Sequence, residues 1–123
     1  MTKFGPRVLV ADDEGLVLMV MAMALEDAGY EVLTACDGAE ALALIEHPDQ
    51  IRLVVTDINM PAFNGFDVAK RARERHPGLP IVFVTALPDQ VYARVNGEPF
   101  HCLPKPFALQ RLVTTVDEML AEL

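Results

Sequence analysis

Two short apolar runs, Val8-Leu9-Val10 and Leu53-Val54-Val55, constrain the fold of this chain more than any other feature. A strand with apolar side chains on both faces must be covered on both, and a parallel sheet between two layers of helices provides that cover. Runs of similar length and composition recur along the chain. The predicted strands are residues 7–11, 31–35, 53–56, 81–84 and 100–103.

Helical patterns separate these strands. Apolar residues recur at helical spacing in residues 16–28, 39–46, 66–76 and from about 107 to the last residue. Pro88 and Pro99 leave only residues 89–95 for a further helix, so we predict that this helix is short. The alternating order predicts an α/β fold, in which a doubly wound, five-stranded parallel sheet carries helices on both faces.

Length and charge exclude several classes of protein. A chain of 123 residues is near the common size of one domain, so we expect a single domain over residues 1–123. Its longest apolar run, residues 16–25, is half of the ~20 residues that a membrane helix requires, and the N-terminus does not resemble a signal peptide. We therefore expect a cytoplasmic protein without membrane insertion. The net charge of −8 disfavours nucleic-acid binding by this domain.

Polar residues follow the predicted strands. Asp12 and Asp13 follow the first strand and Asp57 the third, while Thr85 and Lys105 follow the last two. Because the carboxyl ends of parallel strands meet at one edge, we expect these side chains to lie together. Crowded carboxylates repel each other, and their oxygen atoms suit Mg²⁺. With Asp57 as a nucleophile, and with Lys105 and Thr85 as donors to phosphoryl oxygens, the pattern indicates phosphoryl transfer to a carboxylate.

Five motifs stand in the order and spacing of a known family, and the resemblance extends over the whole chain. The sequence resembles the receiver domains of two-component response regulators, which implies the flavodoxin-like strand order 2-1-3-4-5. The motifs are Val-Leu-Val-Ala-Asp-Asp-Glu (8–14), Val-Val-Thr-Asp-Ile-Asn-Met-Pro (54–61), Asn-Gly (64–65), Val-Thr-Ala (84–86) and Pro-Lys-Pro-Phe (104–107).

The resemblance also implies a role for each site residue. Asp57 is expected to be the phosphoacceptor, Thr85 the switch hydroxyl and Lys105 the cation that pairs with the phosphoryl group. The donor would be a phosphohistidine on a sensor histidine kinase or a histidine phosphotransfer protein. The signal would pass to an unidentified downstream protein, so the domain would not be a conventional enzyme. The implied Mg²⁺ ligands are the carboxylates of Asp13 and Asp57, Asp12 through water, and the backbone carbonyl of Asn59.

The sequence departs from the family pattern three residues before Lys105. Receivers usually carry Tyr or Phe three residues before the lysine, where this chain has Cys102. Phe100 lies on the same strand face as Cys102 by two-residue alternation, and is a candidate substitute for the missing ring. A lysine aimed back into an acidic cleft needs a sharp turn, so we predict a cis bond between Lys105 and Pro106.

The first helix is apolar over more than one face. We expect positions 17, 20, 21, 24, 25 and 28 to face the sheet, yet residues outside that set are apolar as well. Such a surface is typical of a docking site for a helical partner. In the family that it resembles, the kinase or phosphotransfer protein docks on this helix. The residues expected to contact the partner are Leu18, Met19 and Met23.

Two other functions are compatible with parts of the pattern. A phosphohydrolase with an aspartyl nucleophile would carry it in an Asp-x-Asp motif on the first strand, where this chain has Asp12-Asp13. An interaction module that works without phosphorylation would not need the acidic set. We therefore expect residues 1–123 to form one receiver domain without an output domain.

Overall fold

The computed structural model describes residues 5–47, 50–94 and 100–121 and shows five strands that alternate with five helices. All strands are parallel, in the order β2-β1-β3-β4-β5, so the predicted fold is confirmed. In the described residues, no helix is long and apolar enough to cross a membrane. The elements are β1 (Arg7–Ala11), α1 (Gly15–Asp27), β2 (Glu31–Ala35), α2 (Gly38–Glu46), β3 (Leu53–Asp57), α3 (Gly65–Arg75), β4 (Ile81–Thr85), α4 (Pro88–Arg94), β5 (Phe100–Pro104) and α5 (Leu109–Ala121).

The core lies in two apolar layers, one on each face of the sheet. Every residue of β3 and β4 is buried, as expected for strands covered on both sides. Side chains alternate between the layers: Leu9 and Phe83 pack with α2, α3 and α4, whereas Val10 and Val82 pack with α1 and α5. Full burial of such a side chain contributes about 1.5–3 kcal/mol, so both layers hold the strand ends in place.

Helix starts depend on side-chain caps in two cases. The Asp37 carboxylate accepts a hydrogen bond from the Glu40 N–H at 2.7 Å at the start of α2. Asn64 and Asp67 form a reciprocal capping box at the start of α3. Glu14 holds the corresponding position before α1, in an extended conformation, but its side chain makes no capping bond. That side chain therefore stays available for another contact.

The predicted core stripe of α1 is confirmed at Met21 and Leu25 but is wrong at two other positions. The buried residues are Leu18, Met21, Ala22 and Leu25, whereas Val20 and Ala28 are exposed. Positions 18, 21, 22 and 25 have helical core spacing, but so do the exposed apolar positions 16, 19, 20 and 23, on the opposite side. Periodicity could not choose between two apolar stripes. Leu18 is only 9% exposed, so it belongs to the core and not to a docking surface.

Substitution of methionine by alanine should destabilise the fold on the buried stripe of α1 and have little effect on the exposed stripe. Met21→Ala should lower the free energy of unfolding by about 2–5 kcal/mol, because Met21 is fully buried. Met23→Ala on the exposed stripe should change it by no more than about 0.5 kcal/mol. Urea denaturation of both variants measures the difference. Similar values for the two would contradict the assignment of the faces.

Candidate functional site

The predicted site residues meet at the carboxyl edge of the sheet. Asp12 and Asp13 follow the last residue of β1, Asp57 ends β3, Thr85 ends β4 and Lys105 follows β5. Asp57 and Val84 are register partners on neighbouring strands, which places Thr85 one residue beyond that pair. Asp12, Asp57 and Thr85 are buried, whereas Asp13 is exposed. The topology therefore brings together residues that are as much as 93 positions apart.

Backbone contacts fix the loops that carry these side chains. The Ile58 N–H donates to Asp57 Oδ1 at 2.7 Å, and the Lys105 N–H donates to the Thr85 carbonyl at 2.8 Å. Lys105 and Pro106 are joined by a cis peptide bond, as predicted. Gly65 packs directly on the loop after β3, where an added Cβ would lie 2.2 Å from the Asp57 carbonyl oxygen. A side chain at position 65 would therefore displace Asp57.

The Lys105 ammonium is the centre of the charge network. Its Nζ donates to Asp12 Oδ2 at 3.1 Å, to Asp57 Oδ2 at 3.2 Å and to Glu14 Oε1 at 3.2 Å. Burial acts to lower the pKa of Lys105, but the hydrogen bond and charge of Asp12, together with the other two carboxylates, raise that pKa above its ordinary value. The lysine therefore stays charged throughout the physiological range.

The environment of Asp12 disfavours its charged form, whereas that of Lys105 favours its charged form. Burial raises the pKa of its carboxyl, the hydrogen bond from the Glu14 N–H lowers it, and the charge of Asp57 raises it further, so that the net shift is upward. A raised pKa means that the ionised Asp12 is less stable in the fold than in water. The site therefore favours a cation beside Asp12.

Thr85 is connected to the start of α4. Its Oγ1 accepts a hydrogen bond from the Leu87 N–H at 3.0 Å, immediately before α4 begins at Pro88. Seven residues of this helix, Pro88–Arg94, lie in the described part of the chain, and its predicted shortness stays a prediction. Residue 95, at the predicted end of this helix, lies outside the described residues. A hydroxyl that moved toward Asp57 would have to release this contact.

A row of four aromatic rings includes Phe83 of β4, the strand that ends at Thr85. Phe83 lies two residues before Thr85 on β4. The centroid of its ring is 5.7 Å from the Phe66 ring centroid and 6.2 Å from the Phe100 ring centroid. The Phe100 ring is 5.9 Å from the ring of Tyr92 on α4. Phe100 and Cys102 pack against the same apolar layer, so the prediction that they share a face is confirmed. The row thus connects α3, β4, β5 and α4.

Comparison with known proteins decides the family. A profile described as the response regulator receiver domain matches residues 8–117. The chain belongs to the response regulator receiver family. It is 38% identical to the sensor kinase CckA of Brucella abortus over 116 residues, which cover 92% of this chain and 12% of that protein. A crystal structure of a receiver protein from Sinorhizobium medicae superposes with a TM-score of 0.86 and 33% identity, covering 95% of each chain.

The curated relatives are longer than this receiver. The transcriptional regulatory protein PrrA of Mycobacterium tuberculosis is 40% identical over 121 residues, which cover 94% of this chain and 50% of that protein. The chain thus spans between 12% and 50% of the length of the relatives named here. These proteins share the receiver domain with the chain. Receiver domains are units of two-component signalling and are generally not conventional enzymes.

The acidic edge of the receiver suits Mg²⁺, which domains of this family generally bind. Asp12, Asp13 and Asp57 each offer a carboxylate oxygen, and these oxygens lie within 4.8 Å of one another. Carboxylate oxygens are the ligands that this hard cation prefers, and two of the three carboxylates are buried. Asn59 lies two residues after Asp57 with an exposed side chain, and its part as a carbonyl ligand stays a prediction.

Sequence reasoning missed Glu14. Its carboxylate is the third acceptor of the Lys105 ammonium, although its side chain is 63% exposed. The signal was present, because Glu14 directly follows Asp12-Asp13 and precedes a helix. A glutamate in that position is usually solvated, and only the turn after β5 brings Lys105 near it.

A single amide substitution tests the charge balance of the receiver. Asp12→Asn should raise the thermal midpoint of unfolding at neutral pH in the presence of a chelator, because it removes a buried charge whose pKa is shifted upward. MgCl₂ should stabilise the wild type more than this variant. Asp27→Asn makes the same charge change at the exposed end of α1 and should have neither effect. A lower midpoint for Asp12→Asn in chelator would show that Asp12 stabilises the fold.

Proposed function

We propose that the chain accepts a phosphoryl group on Asp57 from a phosphohistidine of a partner protein and changes its interaction surface in response. The observation that carries this proposal is the placement of Asp57, buried at a strand end with Lys105 Nζ 3.2 Å from its Oδ2. An Asp57 carboxylate oxygen attacks the phosphorus, the bond from phosphorus to the histidine nitrogen breaks, and the imidazole leaves with that electron pair.

Each neighbouring residue has a part in this step. The Ile58 N–H holds Asp57 Oδ1 and so fixes the orientation of the nucleophile. Lys105 is already aimed at Asp57 and neutralises the phosphoryl oxygens. Asp12 and Asp13, with Asp57, would hold Mg²⁺, which supplies positive charge for the phosphoryl oxygens when bound. The Asn59 carbonyl completes the proposed ligands.

Output is proposed to begin at Thr85. A phosphoryl group on Asp57 offers the Thr85 hydroxyl a charged acceptor, which is a stronger partner than the Leu87 N–H that it now accepts from. Once the Thr85 hydroxyl releases the Leu87 N–H, the start of α4 loses this contact. Because α4 carries Tyr92, whose ring packs on Phe100 of β5, the surface formed by α4 and β5 is where a downstream protein would detect the change.

The partner is proposed to dock on the exposed stripe of α1, formed by Leu16, Met19, Val20 and Met23. This stripe continues into a groove of about 530 Å³ whose lining includes Val17, Phe107 and Leu109 as well as Lys105. A helix that carries the phosphohistidine could cover the stripe and reach Lys105 in one contact. Residues 15–25 of α1 carry no charge, so the matching surface on a histidine kinase or phosphotransfer protein would be apolar.

Phosphorylation by small donors tests the chemistry. In the presence of Mg²⁺, acetyl phosphate or phosphoramidate should label the wild type on Asp57, and Asp57→Asn should abolish the label. Intact-protein and peptide mass spectrometry measure the extent and the position. A label on Asp12 or Asp13 would overturn the assignment of the phosphoacceptor. A phosphohydrolase would instead convert its substrate without any requirement for a phosphohistidine donor.

Docking requires a second experiment. Met23→Glu should slow transfer from a phosphorylated kinase or phosphotransfer protein by about tenfold or more, because 1.4 kcal/mol of lost binding is already tenfold. Folding and the reaction with acetyl phosphate should be unaffected, since Met23 is 55% exposed. Ala43→Glu introduces the same charge at an exposed position of α2, on the other face of the sheet, and serves as the control. Equal transfer by both variants would place the contact elsewhere.

A further inference from the structure

Glu14 lies between the phosphorylation site and the groove beside α1. Its carboxylate is 3.2 Å from Lys105 Nζ, and its side chain also lines the groove. Of the three carboxylates bound to Lys105, those of Asp12 and Asp57 are buried, whereas Glu14 is on the solvent side. A donor that approaches Asp57 along the groove therefore passes the Glu14 charge.

The contact with Lys105 holds that charge in place. An ammonium has three hydrogens, and Lys105 directs one to each of its three carboxylates. Glu14 is also the residue before α1 whose side chain makes no capping bond, so nothing at the helix start draws it away. An exposed glutamate would ordinarily sample many rotamers, whereas this one has a partner at the edge of the site.

Charge counting gives the consequence. The edge holds four carboxylates, those of Asp12, Asp13, Glu14 and Asp57, and one ammonium. A bound divalent cation would leave one negative charge in excess. Glu14 is the member of this set that neither accepts the phosphoryl group nor belongs to the proposed metal ligands. Its charge opposes an anionic donor without contributing to the chemistry.

We propose that Glu14 is a specificity-determining residue that disfavours dianionic small-molecule phosphodonors relative to donors of lower charge. The proposal rests on the function proposed for Asp57. Acetyl phosphate approaches with two negative charges, and its transfer breaks the bond between phosphorus and the acyl oxygen and releases acetate. Phosphoramidate approaches as a monoanion, and its transfer breaks the phosphorus–nitrogen bond and releases ammonia. Glu14 repels the first donor more than the second.

The test compares rate constants for the two donors at saturating Mg²⁺, followed by intact-protein mass spectrometry. Glu14→Gln should raise the ratio of the acetyl phosphate rate constant to the phosphoramidate rate constant by about three- to tenfold at low salt, as expected for one charge several ångströms from the donor. The increase should shrink at high ionic strength, where the Debye length falls to about 3 Å at 1 M. A residue that merely supports the fold would change neither the ratio nor its salt dependence.

Two further variants separate charge from shape. Glu26→Gln removes the same charge from the exposed end of α1, about 18 Å further along the helix at ~1.5 Å per residue, and should keep the wild-type ratio. Glu14→Asp keeps the charge but shortens the reach to Lys105, and should also keep a ratio near that of the wild type. A ratio for Glu14→Asp that matches Glu14→Gln would show that the charge at position 14 does not set the ratio, and would overturn the proposal.

The outcomes also separate this inference from the function on which it rests. If neither donor labels the wild type on Asp57, the proposed phosphoacceptor is wrong. If both donors label Asp57 but Glu14→Gln leaves their ratio unchanged, the function stands and the role of Glu14 is refuted. An increased ratio that persists at high salt would likewise refute it, because the effect would not be electrostatic.

Discussion

The contact between Lys105 and the carboxylates at the edge of the sheet is the interaction on which the site depends. Burying Asp12 and Asp57 side by side is unfavourable, and the ammonium offsets their repulsion from 3.1 and 3.2 Å. Mg²⁺ and a phosphoryl group would each change this balance, the first by adding positive charge and the second by adding negative charge. The carboxylates and the ammonium do not cancel each other's charge. Binding of Mg²⁺ or addition of a phosphoryl group would therefore change the forces on Lys105.

The apolar packing of the sheet offsets the unfavourable free energy of this charge cluster. β3 and β4 are buried along their whole length, so the strand ends that carry Asp57 and Thr85 are held by packing on both faces. Gly65 at the start of α3 lies so close to the Asp57 carbonyl that no side chain would fit there. The apolar layers supply the stability, and the unfavourable charges are confined to the one edge where the strands end.

Much of this could be predicted from the sequence, and the failures have physical causes. Strand positions followed from apolar runs buried on both faces, and the meeting of Asp12, Asp57 and Lys105 followed from parallel topology. The core face of α1 followed only in part, because two apolar stripes lie on opposite sides of that helix. Glu14 was missed for a different reason: its role depends on where the turn after β5 places Lys105, which no local pattern encodes.

Glu14 also shows how a local rule of helix stability gives way at the site. A helix is commonly capped by Ser, Thr, Asp or Asn, whose side chain accepts a hydrogen bond from a free N–H group and stabilises the fold by about 1 kcal/mol. Asp37 caps α2 and Asn64 caps α3 in this way. α1 begins after a glutamate that forms no such cap and bonds to Lys105 instead. The helix can do without the cap because its inner stripe is deeply buried. The residue before α1 is therefore available to bond to Lys105 at the entrance to Asp57, while the outer stripe of the same helix stays exposed.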